Sequence, residues 1–112
     1  MKQIYSIAMS NGYGIQMFHL CDEIRTLKRR LTQLVKAGLC PRNAHLKVSH
    51  NGKSEQFPKD ETEKIVDKAI KDLCSDMNKP VDIWGIHEDG QYHCEEGITI
   101  SRVNVLTMDD LD

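Results

Sequence analysis

AHLKVSHNGKSEQFPKDETEKIVDKAIKDLCSDMNKP, residues 44–80, decides the fold of this chain, because its apolar period changes once, from that of a strand to that of a helix. Leu46 and Val48 alternate with His45, Lys47 and Ser49, the pattern of a strand with one buried face. Asn51-Gly52 supplies two residues that tolerate positive φ, as a two-residue hairpin turn requires. The return stretch KSEQF is polar apart from Phe57, which suits a sheet edge better than a sheet centre. Pro58 and Asp60-x-x-Glu63 then read as a helix start with an acidic capping box. Ile65, Val66, Ala69, Ile70, Leu73 and Met77 fall on one helical face with Cys74 close beside them, and Asn78-Lys79-Pro80 ends the helix. Asp60/Lys64 and Asp67/Lys71 stand acid before base at a spacing of four, an order worth about 0.3 kcal/mol per pair.

Toward the N-terminus the same reasoning gives a second amphipathic segment. Leu20, Ile24, Leu27, Leu31, Leu34 and Val35 form one stripe and predict a helix over 20–37. Asp22 and Glu23 complement its positive end, Lys36 its negative end, and Gly38 with Pro41 stops it. Before it, QIYSIAM (3–9) alternates, with Tyr5, Ile7 and Met9 on one face and Ile4, Ser6 and Ala8 on the other. Ser10-Asn11-Gly12-Tyr13-Gly14 breaks that strand. Either Ile15, Met17 and His19 return as a short strand, making 3–18 a hairpin, or the glycines lead by a loop into the helix.

Toward the C-terminus, 81–86, 91–94 and 98–106 read as strands separated by Glu88-Asp89-Gly90 and Glu95-Glu96-Gly97, each a short turn ending in glycine, which predicts a three-strand antiparallel meander followed by an acidic tail. No internal repeat or linker interrupts the 112 residues, so 1–112 is expected to form one domain. Its fold class is α+β, in the order β(β)-α-β-β-α-β-β-β, with two helices packed on one face of a mostly antiparallel sheet.

The opening MKQIYSIAMSNGYG has one lysine and polar Ser6, Ser10 and Asn11 where a signal core would sit, and no segment approaches the ~20 apolar residues of a membrane span. The four cysteines are therefore expected as reduced thiols of a cytoplasmic protein that does not contact a membrane.

Charge is sorted along the chain. Residues 1–56 carry nine Lys/Arg against three Asp/Glu, a net of +6, and residues 57–112 carry six against fourteen, a net of −8. Arg25, Lys28, Arg29, Arg30 and Lys36 lie off the leucine stripe of the first helix, and Arg42, Lys47 and Lys53 follow it. Such a face steers an acidic protein surface or neutralises phosphates. The absence of a nucleic-acid signature and the scarcity of aromatic residues favour a protein partner. The opposite charges of two copies would also allow a homodimer. The acidic half reads as solubilising turns, with an acidic nucleic-acid mimic as the alternative. Trp84, in VDIWGI, either plugs the core between sheet and helices, the reading preferred here, or turns outward as an interface anchor.

Catalytic and metal chemistry find little here. His19/Cys21, Cys40/His45/His50 and His87/His93/Cys94 match no standard zinc spacing, and adjacent His93 and Cys94 on a strand would point to opposite faces. Gly12-Tyr13-Gly14 lacks the further glycine and Lys-Ser/Thr of a phosphate loop. The sequence thus predicts a non-enzymatic protein without cofactor or metal, a protein-binding regulator or inhibitor. The size and charge suit one that a phage or mobile element encodes against a host system. Its candidate partner-binding residues are Arg25, Lys28, Arg29, Lys36, Arg42, Lys47 and Trp84, with nucleic-acid binding through the first helix as the alternative.

Overall fold

In a computed structural model, which describes residues 2–11, 13–37, 44–86 and 96–105, the elements follow the order ββαββαββ. They are β1 (Lys2–Asn11), β2 (Gly14–Cys21), α1 (Ile24–Lys36), β3 (His45–His50), β4 (Lys53–Pro58), α2 (Thr62–Ser75), β5 (Val81–Ile86) and β6 (Gly97–Val105). The predicted strand at 91–94, Arg42 and the acidic tail lie outside the described residues.

The hairpin reading of the N-terminus holds, and the loop alternative does not. β2 runs back along β1 from Gly14 to Cys21, with Ser6 opposite Leu20 and a register shift between Met9 and Ser10. Asn11 Oδ1 accepts hydrogen bonds from the Tyr13 N–H (2.8 Å) and from Gln16 Nε2 (3.2 Å), which pins the turn. The helix expected over 20–37 therefore begins at Ile24. Leu20 fits a helical spacing to Ile24, but pairing with Ser6 claims it for the strand.

In the second hairpin the expected Asn51-Gly52 turn forms, with φ of 52° and 79°. The acidic capping box does not. A turn precedes α2, in which the Glu61 N–H donates to the Pro58 carbonyl at 3.0 Å, so Glu61 rather than Asp60 becomes the residue flanking the helix, without a side-chain cap. The expected ion pairs shift accordingly: Lys64 reaches Glu61 (3.4 Å), and Asp67 pairs across to Lys28 of α1 (2.9 Å).

All six strands are antiparallel, in the order β2-β1-β6-β5-β3-β4. The last two strands thus insert between the two hairpins. A strand–strand–helix unit occurs twice, and in the strand order β1 and β3, and the edges β2 and β4, take matching places on either side of the β5–β6 pair.

Both helices cover one face, α1 over β1 and β2, α2 over β3 and β5. Beneath them Ile7, Ile100 and Val81 form one buried row, and Ile98, Ile83 and Val48 the next. Leu27, Leu31 and Val35 of α1 and Ile65, Val66, Ala69 and Leu73 of α2 close the core. The opposite face carries cross-strand polar pairs: Ser6 Oγ lies 2.8 Å from Ser101 Oγ, and Thr99 Oγ1 donates to Asp82 Oδ1 at 2.6 Å.

Candidate protein-docking surface

A helix advances ~100° per residue, so Leu27, Leu31 and Val35 fix where every other α1 side chain points. Arg25, Arg29, Thr32 and Lys36 fall on the outer side, away from the core. Lys28 lies toward α2 and is tied to Asp67, while Arg25 is paired with Glu23 at 3.1 Å. Among the described residues, Arg29, Arg30 and Lys36 have no carboxylate within salt-bridge distance.

The other candidates lie elsewhere. Lys47 and Trp84 are cross-strand neighbours on β3 and β5, on the sheet face away from the helices. The basic helix and the basic hairpin are therefore not one patch: α2 and the sheet stand between them. The preferred core reading of Trp84 is also corrected. Its neighbour Ile83 is the residue buried under the helices, so strand alternation puts the half-buried indole on the other face, opposite Gly97.

The structure brings forward residues that the sequence reading had not selected. Ile15, Phe18 and Leu20 are 66%, 55% and 56% exposed, all on β2 and all on the face away from α1. Tyr13, at the hairpin tip, is 97% exposed. Among the described residues the outer edge of β2 pairs with no strand. The available signal was that GIQMFHLC is apolar in both alternating sets, Ile15, Met17 and Cys21 in one and Phe18 and Leu20 in the other; the register shift between Met9 and Ser10 then turns Ile15 to the face of Phe18. Assigning Leu20 to a helix concealed it.

On the helix-facing side, Met17 and His19 of β2 meet Arg30, Gln33 and Leu34 of α1 around a cavity of about 50 Å³. Cys21, at the end of this row, is buried; burial pushes its thiol above the ordinary value and Asp22 adds to that, while Arg30 pulls the other way and loses. Cys74, expected beside the apolar face of α2, is exposed instead.

A larger cleft of about 560 Å³ separates the β3–β4 hairpin from the C-terminal half of α2. Lys68 crosses its wall, with Nζ 3.0 Å from Asp72 and 3.7 Å from Glu55, and His50 Nε2 lies 3.2 Å from the Asp76 carbonyl oxygen. The hydrogen bond to Asp72 is the main reason the Lys68 ammonium is held above its usual range. This is a cross-brace between hairpin and helix rather than an open cationic site. Among the described residues, no group of three or more His, Cys, Asp or Glu side chains is placed to hold a metal ion, and no helix is long and apolar enough to cross a membrane.

The fold and this surface define a small α+β domain with one apolar sheet edge beside a basic helix. Comparison with protein-family models, curated proteins and solved structures finds no match.

Proposed function

We propose that this chain is a small non-enzymatic protein-binding regulator or inhibitor whose docking surface is the α1–β2 end of the molecule. The observation that carries this reading is the exposed Ile15–Phe18–Leu20 row on an edge strand bordered by the cations of α1. Edge strands are normally blunted by charge, and large exposed apolar side chains there mark contact surfaces. The cations steer an acidic partner into encounter, and the apolar row holds the bound pose. An inhibitor made by a phage or mobile element against a host system is the biological setting this chemistry suits, by analogy of class.

A second reading rests on Arg29 and Lys36, which keep their charge available on one helix face and would serve phosphates equally well. The mimic reading rests on residues 81–112, with eight acidic side chains against one basic, of which only Asp82 and Glu96 lie among the described residues.

Two measurements decide. Full-length chain and a Phe18→Ser/Leu20→Ser variant are each immobilised and exposed to extract of the native cell. A protein retained by the first and lost by the second supports the proposal, whereas identical captures overturn it. A labelled duplex and a single strand are titrated at about 50 and about 200 mM salt. Binding that weakens steeply with salt and disappears in an Arg25→Glu/Arg29→Glu/Lys36→Glu variant would replace the protein reading with the nucleic-acid one.

A further inference from the structure

The two edges of this sheet occupy equivalent places in the fold and are finished in opposite ways. β4 ends one side, and its residues Lys53, Ser54, Glu55 and Gln56 are exposed and polar, as protection against edge pairing demands. β2 ends the other side with eight residues, and its exposed side chains include Ile15, Phe18 and Leu20. Their matching places in the strand order do not account for the difference, and an apolar finish suits an edge that meets a partner.

We infer that β2 is a strand-addition site whose occupant is an extended, acidic segment of a partner protein, an inference that rests on the protein-binding reading above and specifies its partner. The added strand would take up the outer backbone edge of β2, which pairs with no strand among the described residues. Its side chains alternate between two different environments. On one face they would lie over Phe18, Leu20 and Ile15, which favours apolar residues. On the other they would face His19 and Arg30 at the rim of the α1–β2 cavity, which favours carboxylates.

Charge selects this occupant over a second copy of the chain. Residues 14–37 hold five basic side chains against two acidic ones, and of the five only Lys28 and Arg25 are paired among the described residues. A symmetric β2–β2 contact would bring two such helices side by side, with Arg30 of each copy toward the shared edge. An acidic strand meets the same field with opposite sign.

The probe is a fluorescein-labelled eight-residue peptide alternating Glu and Val, with a Lys-and-Val peptide as its charge control, added to the full-length chain. Fluorescence anisotropy is expected to show the Glu peptide binding at least about tenfold more tightly than the Lys peptide. Amide exchange should slow at residues 14–21 and not at 53–58. Phe18→Ser/Leu20→Ser should weaken binding by about tenfold or more, and Arg30→Glu should invert the preference between the peptides. All three residues are exposed, and circular dichroism melting confirms that each variant is folded. Equal binding of both peptides, or protection at 53–58 instead, overturns the inference. So does protection at 14–21 without peptide together with a dimer in sedimentation, which assigns the edge to a second copy. If the Glu peptide fails to bind while the Phe18→Ser/Leu20→Ser variant still loses its captured partner, strand addition is wrong and the protein-binding reading stands; if the capture is also indifferent, both fall.

Discussion

Leu20 satisfies two periods at once. It is four residues before Ile24, the spacing of a helical stripe, and it is two after Phe18, the spacing of a strand face. Local propensity does not separate these, and its place opposite Ser6 in the β1–β2 ladder does. Its neighbour Cys21 shows the reverse side of the same strand. Burial disfavours its thiolate, so alkylation of the native chain, mapped by peptide mass spectrometry, should modify exposed Cys74 at least about tenfold faster than Cys21. The raised thiol also has a signed consequence for stability. A group whose folded pKa lies above its unfolded one stabilises the fold fully below the unfolded value, near 9.0, and loses that contribution as pH rises through the folded value. Thermal melts at about pH 8 and about pH 10 should therefore differ less in a Cys21→Ala variant than in the parent, once its lower baseline is subtracted.

Among elements, the least supported is β4, a polar edge with only Phe57 packed against the core. Lys68 compensates by bridging Glu55 of that strand to Asp72 of its own helix. Replacing Lys68 with Met should cost about 1 kcal/mol, because two carboxylates lose one shared cation and its side chain is the least exposed of the cations in these ion pairs. Lys64→Met, which loses only Glu61 at 3.4 Å on an exposed surface, should cost about 0.3 kcal/mol. Urea unfolding reads both, as a lower midpoint with an unchanged slope, and the difference between them should shrink at high salt. The Lys68 brace has its own pH sign. Its ammonium is favoured in the fold, so the contribution is complete below its ordinary value near 10.5 and fades only above it.

At the scale of the molecule, the positive charge of the sequence gathers on a helix at one end of the sheet, the hairpin and helix at the other end are charge-balanced, and the acidic excess belongs to residues 81–112, most of whose carboxylates lie outside the described residues. Reversing Arg25, Arg29 and Lys36 to Glu takes the net charge from −2 to −8. The fold should tolerate this, with a melting temperature within a few degrees (about 3 °C) of the parent, since these side chains are exposed and two of them have no carboxylate within salt-bridge distance among the described residues. Association with a captured partner should slow by about tenfold or more and lose its salt dependence, while dissociation changes little; stopped-flow or surface-plasmon kinetics separate the two rates.

Periodicity along the chain determined the α+β class, the second hairpin, the faces of both helices and the positive φ turn at Asn51-Gly52, because each of these depends on contacts a few residues apart; the first hairpin stayed one of two alternatives until the pairing of β2 with β1 settled it. The basic side chains of α1 were legible for the same reason: a stripe of leucines specifies what is left outside it. The order of strands was decided only in three dimensions, since Lys2 meets Val105 and Ile7 meets Ile100 across almost the whole chain. The side of the sheet on which Trp84 lies, the separation of Lys47 from α1, the exposed row on β2 and the unequal finish of the two edges all follow from that order. A strand's alternation reveals that it has two faces, but which face is covered, and which strand is left without a neighbour, depends on elements far away in sequence. The basic helix was visible from the residues alone, and the apolar edge beside it was not.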